Sequence, residues 1–234
     1  MKTILILSCE HAGNNIPEEY KHLFVQAKEV LLSHRGWDPH SKQIGLELSK
    51  NLGSEVYMTE TSRLLVECNR SLHNPQLFSE FTENLSLETK EDILKRYYHP
   101  YRDRVEEEIR RRMKYSRVLH VSVHSFTPIW EGLKRSTDIG LLFDEKRPDE
   151  LSLAMGWKTD LEELLPMLQI DLNKPYLGSD DGFTTYLRNQ FDSERYLGFE
   201  IEVSQKFKGK EMIQEIASAL SASLNRIINS SHYS

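Results

Sequence analysis

Glu10 and His11 follow one apolar run, His124 and Ser125 follow another, and Glu200 and Glu202 lie within a third. Two imidazoles and a carboxylate arriving from separate strands are the donor set of a catalytic zinc site, which uses three protein ligands and keeps a position open for water. Imidazole and carboxylate suit zinc and similar divalent ions. A further carboxylate can then act as general base toward that water. Glu10 and His11 are neighbours, and neighbours on a strand point to opposite faces, so they are not expected to bind one ion together. Asp38, in HRGWDPH, begins a helix after a loop. There it serves either as a third ligand or as a plain helix N-cap. His34 and His40 stand close by, as ligands or as solvated loop residues. No H-x-x-x-H pair is expected on one helix, so the helical metalloprotease signature is missing.

A second group lies in TSRLLVECNRS, residues 61–71, where Arg63 and Arg70 flank a short apolar stretch and Asn69 adjoins Arg70. Guanidinium forks bind carboxylates through two parallel hydrogen bonds. The Asn69–Arg70 pair could grip a substrate carboxylate, and Arg63 could stabilise the oxyanion formed when water attacks an amide carbonyl. The other reading pairs both arginines with acids such as Glu67 at the surface. In YLGSDDGFTTYLR, residues 176–188, Gly178 and Gly182 mark a loop. Asp181 or Thr184 is expected to cap the helix that follows, and Arg188 lies within it. Such a loop could close over a substrate. The segment EEEIRRR, 106–112, reads as a solvated helix face.

These side chains need elements to carry them. Residues 3–9, 117–123, 138–143 and 197–203 are apolar runs that suit buried strands, and 55–60 reads as another. Pro17 and the acids after it open a helix to about residue 32. Another runs from Asp38 to a stop at Gly53. Further helices are expected at 88–115, broken near Pro100, and at 148–166 and 209–229. Strands alternating with helices imply an α/β fold with a mainly parallel sheet and helices on both faces. Ligands in such folds sit outside the carboxyl ends of the strands, which is where the acids and histidines fall.

A chain of 234 residues fits one large domain at roughly 100–200 residues per domain. No linker divides it, so residues 1–234 read as a single unit ending in a polar tail, NSSHYS. A net charge of -6 argues against general affinity for nucleic acid. Two cysteines, Cys9 and Cys68, are too few for a disulfide framework and sit in apolar surroundings, as buried thiols do. No apolar stretch approaches the ~20 residues that cross a bilayer, and no signal peptide is evident. A cytoplasmic protein is expected, without nucleic-acid or membrane partners, as a monomer or small homo-oligomer.

SCEHAGNNIPEEY, HRGWDPHSKQIGLELS, SRLLVECNRS, HSFTP, DDGFTTYLR and FEIEVSQ resemble, in that order, the motifs of N-formylglutamate amidohydrolase-like proteins. The resemblance spans residue 8 to about 205. It implies a distant relationship to zinc carboxypeptidases and aspartoacylases, a three-layer α/β/α fold, and metal-assisted hydrolysis of an N-acyl amino acid such as N-formylglutamate. By resemblance, His11 and His124 match the metal histidines, Asp38 the carboxylate ligand and Glu202 the general base. Arg63, Asn69 and Arg70 match the group that holds the substrate carboxylate and polarises the carbonyl, and we count Arg188 with the substrate-binding residues. Glu200 alternates with Glu202, so only one of them is expected to face the site. Family members often carry Asp where Glu67 stands and Gly-Ala where His40-Ser41 stand. The implied cofactor is Zn2+ or another divalent metal, and the implied partner is a small N-acyl amino acid. Two alternatives remain: a deacylase or small peptidase for another N-acyl substrate, and a non-catalytic carboxylate-binding or sensor domain on the same fold.

Overall fold

The apolar run at residues 3–9 becomes β1 (Thr3–Cys9), a strand with neighbours on both sides. It belongs to a computed structural model that describes residues 2–229, so the polar tail expected at the C-terminus lies outside the described residues except for Asn229. In chain order follow α1 (Lys28–Leu32), α2 (Ser41–Leu52), β2 (Val56–Met58), α3 (Leu87–Ile93), α4 (His99–Met113) and β3 (Arg117–Phe126). Next come β4 (Ile129–Trp130), β5 (Leu133–Lys134), β6 (Ile139–Leu142), α5 (Pro148–Leu164), β7 (Ile170–Leu172), α6 (Phe183–Gln190), β8 (Tyr196–Ser204) and α7 (Lys210–Asn229). The main sheet has six strands in the order β2-β1-β3-β8-β6-β7. All its pairings are parallel except β6 with β8. This is the mainly parallel α/β architecture anticipated from the alternation of strands and helices.

Side-chain alternation sorts the two faces of the sheet. Leu5 and Leu7, then Leu119, Val121 and Val123, then Phe199 and Ile201, point to one face. They meet Ile44 and Leu48 of α2, Trp157 of α5, and Leu220 and Leu224 of α7. Ile6, Val118 and Tyr196 point to the other face, against Tyr101, Val105 and Ile109 of α4 and Phe183 and Leu187 of α6. Each such apolar side chain contributes about 1.5–3 kcal/mol on burial. Trp157 is wholly enclosed, and its indole N–H donates to Ser223 Oγ at 2.9 Å, so no polar atom is stranded there.

Several expected elements differ. The helix expected from Pro17 to residue 32 is a 3-10 turn at Glu18–Phe24 followed by the short α1. The Tyr20 N–H bonds the Pro17 carbonyl three residues back, which sets the tighter winding, while Tyr20 and Phe24 are buried. The helix expected at 88–115 is divided by a π turn, Leu94–Tyr98, just before Pro100 enters the start of α4. β7 and the β4–β5 hairpin were not expected, because two- and three-residue strands carry too little periodicity to be read. Gly53 does close α2, with a left-handed φ of 63°. Among the described residues, no helix is long and apolar enough to cross a membrane.

Candidate active site

The alternation that builds the core also builds a polar row. On β1, β3 and β8 the positions facing α4 and α6 turn polar toward the carboxyl ends. In register, Ser8 lies beside Ser122 and Ser122 beside Glu200, and one step further His124 lies beside Glu202. All of these side chains are buried. Glu200 and Glu202 therefore share a face, and both line the same cavity. The expectation that only one of them faces the site is wrong, because residues two apart on a strand point the same way.

His11, just past β1, and Asp38, from the loop before α2, meet His124 at this edge. Each offers one ligand atom, and these atoms all lie within 4.8 Å of one another. Asp38 Oδ2 is 3.1 Å from His11 Nδ1 and 2.9 Å from His124 Nδ1. Burial opposes ionisation of Asp38, yet His11, His124 and Arg63 hold its carboxyl well below the usual carboxylate range. Burial likewise works against the His124 imidazolium, but Asp38 and Glu10 raise its pKa well above the ordinary value. Asp38 does not cap α2 with its side chain; residue His40 occupies that position without a side-chain cap bond. A two-imidazole, one-carboxylate set, buried and convergent, fits a divalent ion of the zinc type.

Glu202 stands beside this set with a different character. Its Oε2 is buried without a hydrogen-bond partner among the described residues. Burial pushes its pKa up to about 8, Asp38 and Glu200 add to the rise, and His124 and Arg63 oppose it. Glu200 instead accepts a hydrogen bond from Thr184 Oγ1 at the start of α6.

The arginines divide. Arg63 reaches the site, with Nε donating to Glu67 Oε2 at 2.6 Å and Nη1 to Asp38 Oδ1 at 3.3 Å. Arg70 lines the cavity, and its Nη1 donates to the carbonyls of Asn69 and Asp181 at 3.0 and 2.9 Å. Asn69 also lines the cavity, but its Oδ1 accepts the Phe183 N–H at 2.7 Å. Asn69 thus supplies from a distant loop the cap that was expected from Asp181 or Thr184, and Gly182 is the N-cap residue itself. Asp181 turns back instead to the Ser71 N–H, at 3.1 Å.

Arg188 requires a correction. It is 6 % exposed, does not line the cavity, and faces Glu150, with Nε 3.0 Å from Oε2. Its Nη2 donates to the Gly198 carbonyl at 2.8 Å. Helix periodicity turns it inward beside Phe183, Thr184 and Leu187, so it braces α6 on β8 and takes no part in the cavity. His40 is also apart: it adopts a left-handed φ of 74° and lines a separate surface groove with Trp37 and Lys42. That φ is one that glycine adopts without the steric cost a side chain brings. His34 lies at the cavity mouth, its ring 6.3 Å from that of Trp130.

Two carboxylates were underrated. Glu67 was read as a surface partner of the arginines, yet it is buried in the cavity wall and bonded to His11 Nε2. Glu10 was set aside because it neighbours His11, yet it contacts His124, with Oε2 3.0 Å from Nε2. The available signal was alternation: Ser8 on β1 and Glu10 just past its end fall on one face, as His120, Ser122 and His124 do on β3. The whole cavity has a volume of about 680 Å³, and Trp130, Leu142, Tyr176 and Leu177 contribute an apolar side to it.

The comparisons bear on the family and the fold. The family model for N-formylglutamate amidohydrolase matches residues 3–207. The solved gene product Atu2144 from Agrobacterium tumefaciens is similar, at 28% identity and a TM-score of 0.77, over 95% of this chain and 91% of its own. An N-formylglutamate amidohydrolase from Ralstonia eutropha JMP134 shares the fold at 16% identity and a TM-score of 0.71, over 96% of this chain and 92% of its own. No curated protein matches the sequence significantly. Because the family match runs from β1 through β8 and takes in every strand of the sheet, the chain belongs to the N-formylglutamate amidohydrolase family.

Proposed function

We propose that this protein is a metal-dependent amidohydrolase that cleaves an N-formyl or other N-acyl amino acid into a carboxylate and the free amino acid. Family membership supports the hydrolase class. The finer reading rests on one observation: the unpartnered Oε2 of Glu202 is buried beside the convergent set of His11, Asp38 and His124. A divalent ion held by those three, with zinc favoured by donor type, would polarise the acyl carbonyl and lower the pKa of a water.

The chain's own residues do the rest. Glu202 takes a proton from the attacking water as the water oxygen bonds to the carbonyl carbon. Burial makes the Glu202 carboxylate a stronger base than an exposed one, which favours that transfer. Arg63, fixed by Glu67 and Asp38, places positive charge beside the developing oxyanion. The carbon–nitrogen bond then breaks, and Glu202 returns its proton to the leaving nitrogen. Arg70 binds the substrate carboxylate, because among the described residues its Nε and Nη2 have no partner. Asn69 supports this from the side while capping α6. The substrate is a small molecule, and a cytoplasmic protein without nucleic-acid or membrane partners, monomeric or a small homo-oligomer, fits the reading.

The test is elemental analysis of protein purified without a histidine tag, followed by a panel of N-formyl and N-acyl amino acids. About one metal per chain and release of free amino acid support the proposal. A firmly held metal with no turnover across the panel would favour a carboxylate-binding domain, and no metal after reconstitution would overturn the metallohydrolase reading.

A further inference from the structure

Each site histidine is held between two carboxylates, and His124 Nε2 also meets Ser122 Oγ at 2.9 Å and Asn69 Nδ2 at 3.5 Å. His11 and His124 turn Nδ1 toward the shared Asp38 Oδ2, at 3.1 and 2.9 Å. Their Nε2 atoms point away from it, each to a glutamate of its own. His11 Nε2 bonds Glu67 Oε1, and His124 Nε2 lies 3.0 Å from Glu10 Oε2. The two glutamates come from unrelated places, one on the loop after β2 and one at the end of β1. Neither is a free acid that happens to be near. Glu10 accepts from Tyr101 Oη at 2.6 Å and from Ser122 Oγ, and both donors are buried. Glu67 accepts from Arg63 Nε at 2.6 Å and from the Asn69 N–H at 2.9 Å. Both are buried, at 1 % and 4 % exposure.

An imidazole carries one proton when neutral, and a partner on one nitrogen decides which nitrogen is left to bind an ion. A carboxylate can only accept, so the nitrogen facing it keeps the proton. Asp38 also faces both rings, but it is the carboxylate that would itself join the ion.

We propose that Glu10 and Glu67 are the positioning residues of the metal site: each takes the Nε2–H of one histidine and leaves Nδ1 as that histidine's ligand atom. This rests on the metallohydrolase reading above. It assigns to Glu10 a role that adjacency to His11 had argued against. Glu10 serves the histidine of the next strand, because alternation turns it away from its own neighbour and onto the face that carries Ser122 and His124.

The experiment measures cobalt(II) affinity by chelator competition for wild type, Glu10→Gln, Glu67→Gln and Tyr101→Phe. Ring 15N resonances of zinc-loaded, histidine-labelled protein are recorded alongside. Removing such an outer carboxylate weakens metal binding about 10–100-fold in characterised sites, and that loss is expected for each Gln variant. Tyr101→Phe leaves the Glu10 charge in place and should lose less than Glu10→Gln. Arg188→Met serves as a control for general destabilisation and should leave cobalt affinity unchanged. In the wild-type spectra, both rings should show a metal-shifted Nδ1 and a protonated Nε2. This readout decides the matter even if a Gln variant fails to fold. Ligation through Nε2 in either ring, or Gln variants that bind cobalt as tightly as wild type, would overturn the positioning role alone. A wild-type protein that binds neither cobalt nor zinc overturns this role together with the metallohydrolase reading.

Discussion

Arg63 grips Glu67 from four residues earlier in the chain, its Nε donating to Oε2 at 2.6 Å. The same guanidinium reaches Asp38 Oδ1 at 3.3 Å, so Arg63 is committed to the site's own acids. Arg70, seven residues on, has donors to spare. Two arginines that look equivalent in TSRLLVECNRS therefore have different work.

Replacing Arg70 should reveal that difference. Arg70→Ala is expected to raise KM for carboxylate-bearing substrates about 10–100-fold, as loss of a charge-assisted hydrogen bond of about 1.5–3 kcal/mol implies. Its kcat should change little. Arg63→Ala should instead lower kcat and loosen Glu67. Steady-state kinetics on an acyl amino acid and on its amide-capped analogue check this, since the capped analogue should be insensitive to Arg70. Equal KM effects on both substrates would remove Arg70 from carboxylate binding.

Glu202→Gln tests the base. The amide keeps the shape and cannot accept the proton, so metal content should match wild type while turnover falls about 100–10,000-fold. Metal analysis and initial rates on the same preparation check it. A variant with wild-type rates would move the base to another group.

The metal-free protein should carry a pH signature of Glu202. Burial pushes its pKa in the fold up to about 8, from an ordinary value of 4.5. A raised carboxyl contributes stability that is complete below about 4.5 and lost as pH climbs through about 8. Glu10, Glu67 and Asp38 act oppositely: held low by His124, Arg63 and His11 against their burial, they contribute stability lost on acidification. The Tm advantage of Glu202→Gln over wild type, both stripped of metal, should grow from pH 5 to pH 9. A difference that stays flat across this window would mean that Glu202 ionises normally.

Arg188 should matter to stability and not to substrate. Arg188→Met removes the nearer guanidinium from buried Glu150 and leaves it Arg147 at 3.8 Å and two backbone N–H donors, which costs about 1–3 kcal/mol. Urea unfolding should register that loss while KM stays near wild type. A large KM increase with unchanged stability would return Arg188 to the binding residues.

Much was legible in the chain itself. The segments at 3–9, 117–123 and 197–203 read as buried strands, because each is short, rich in β-branched and aliphatic residues and bounded by polar or turn residues. The groups at their ends, His11, His124 and Glu202, followed from the rule that such sheets expose their carboxyl ends to ligands. Local periodicity also held enough to show that Glu200 and Glu202 share a face, and that signal was misread.

What periodicity does not contain is which strand lies beside which, and what arrives from elsewhere. The order β1-β3-β8 puts Ser122 beside Glu200 and His124 beside Glu202, and it brings Glu10 to a histidine 114 positions later in the chain. Arg188 is read as substrate-binding until Glu150, on another helix, is found against it. Asn69 is read as a substrate group, and only the fold shows that its oxygen also accepts the Phe183 N–H. A polar side chain takes its role from the charge and donors packed against it, and for these residues the deciding partners are distant in sequence. The strands and the chemical types at their ends were determined by the sequence alone; the pairing of each acid with its base was decided only by the tertiary structure, because electrostatics and hydrogen bonding act across space and not along the chain.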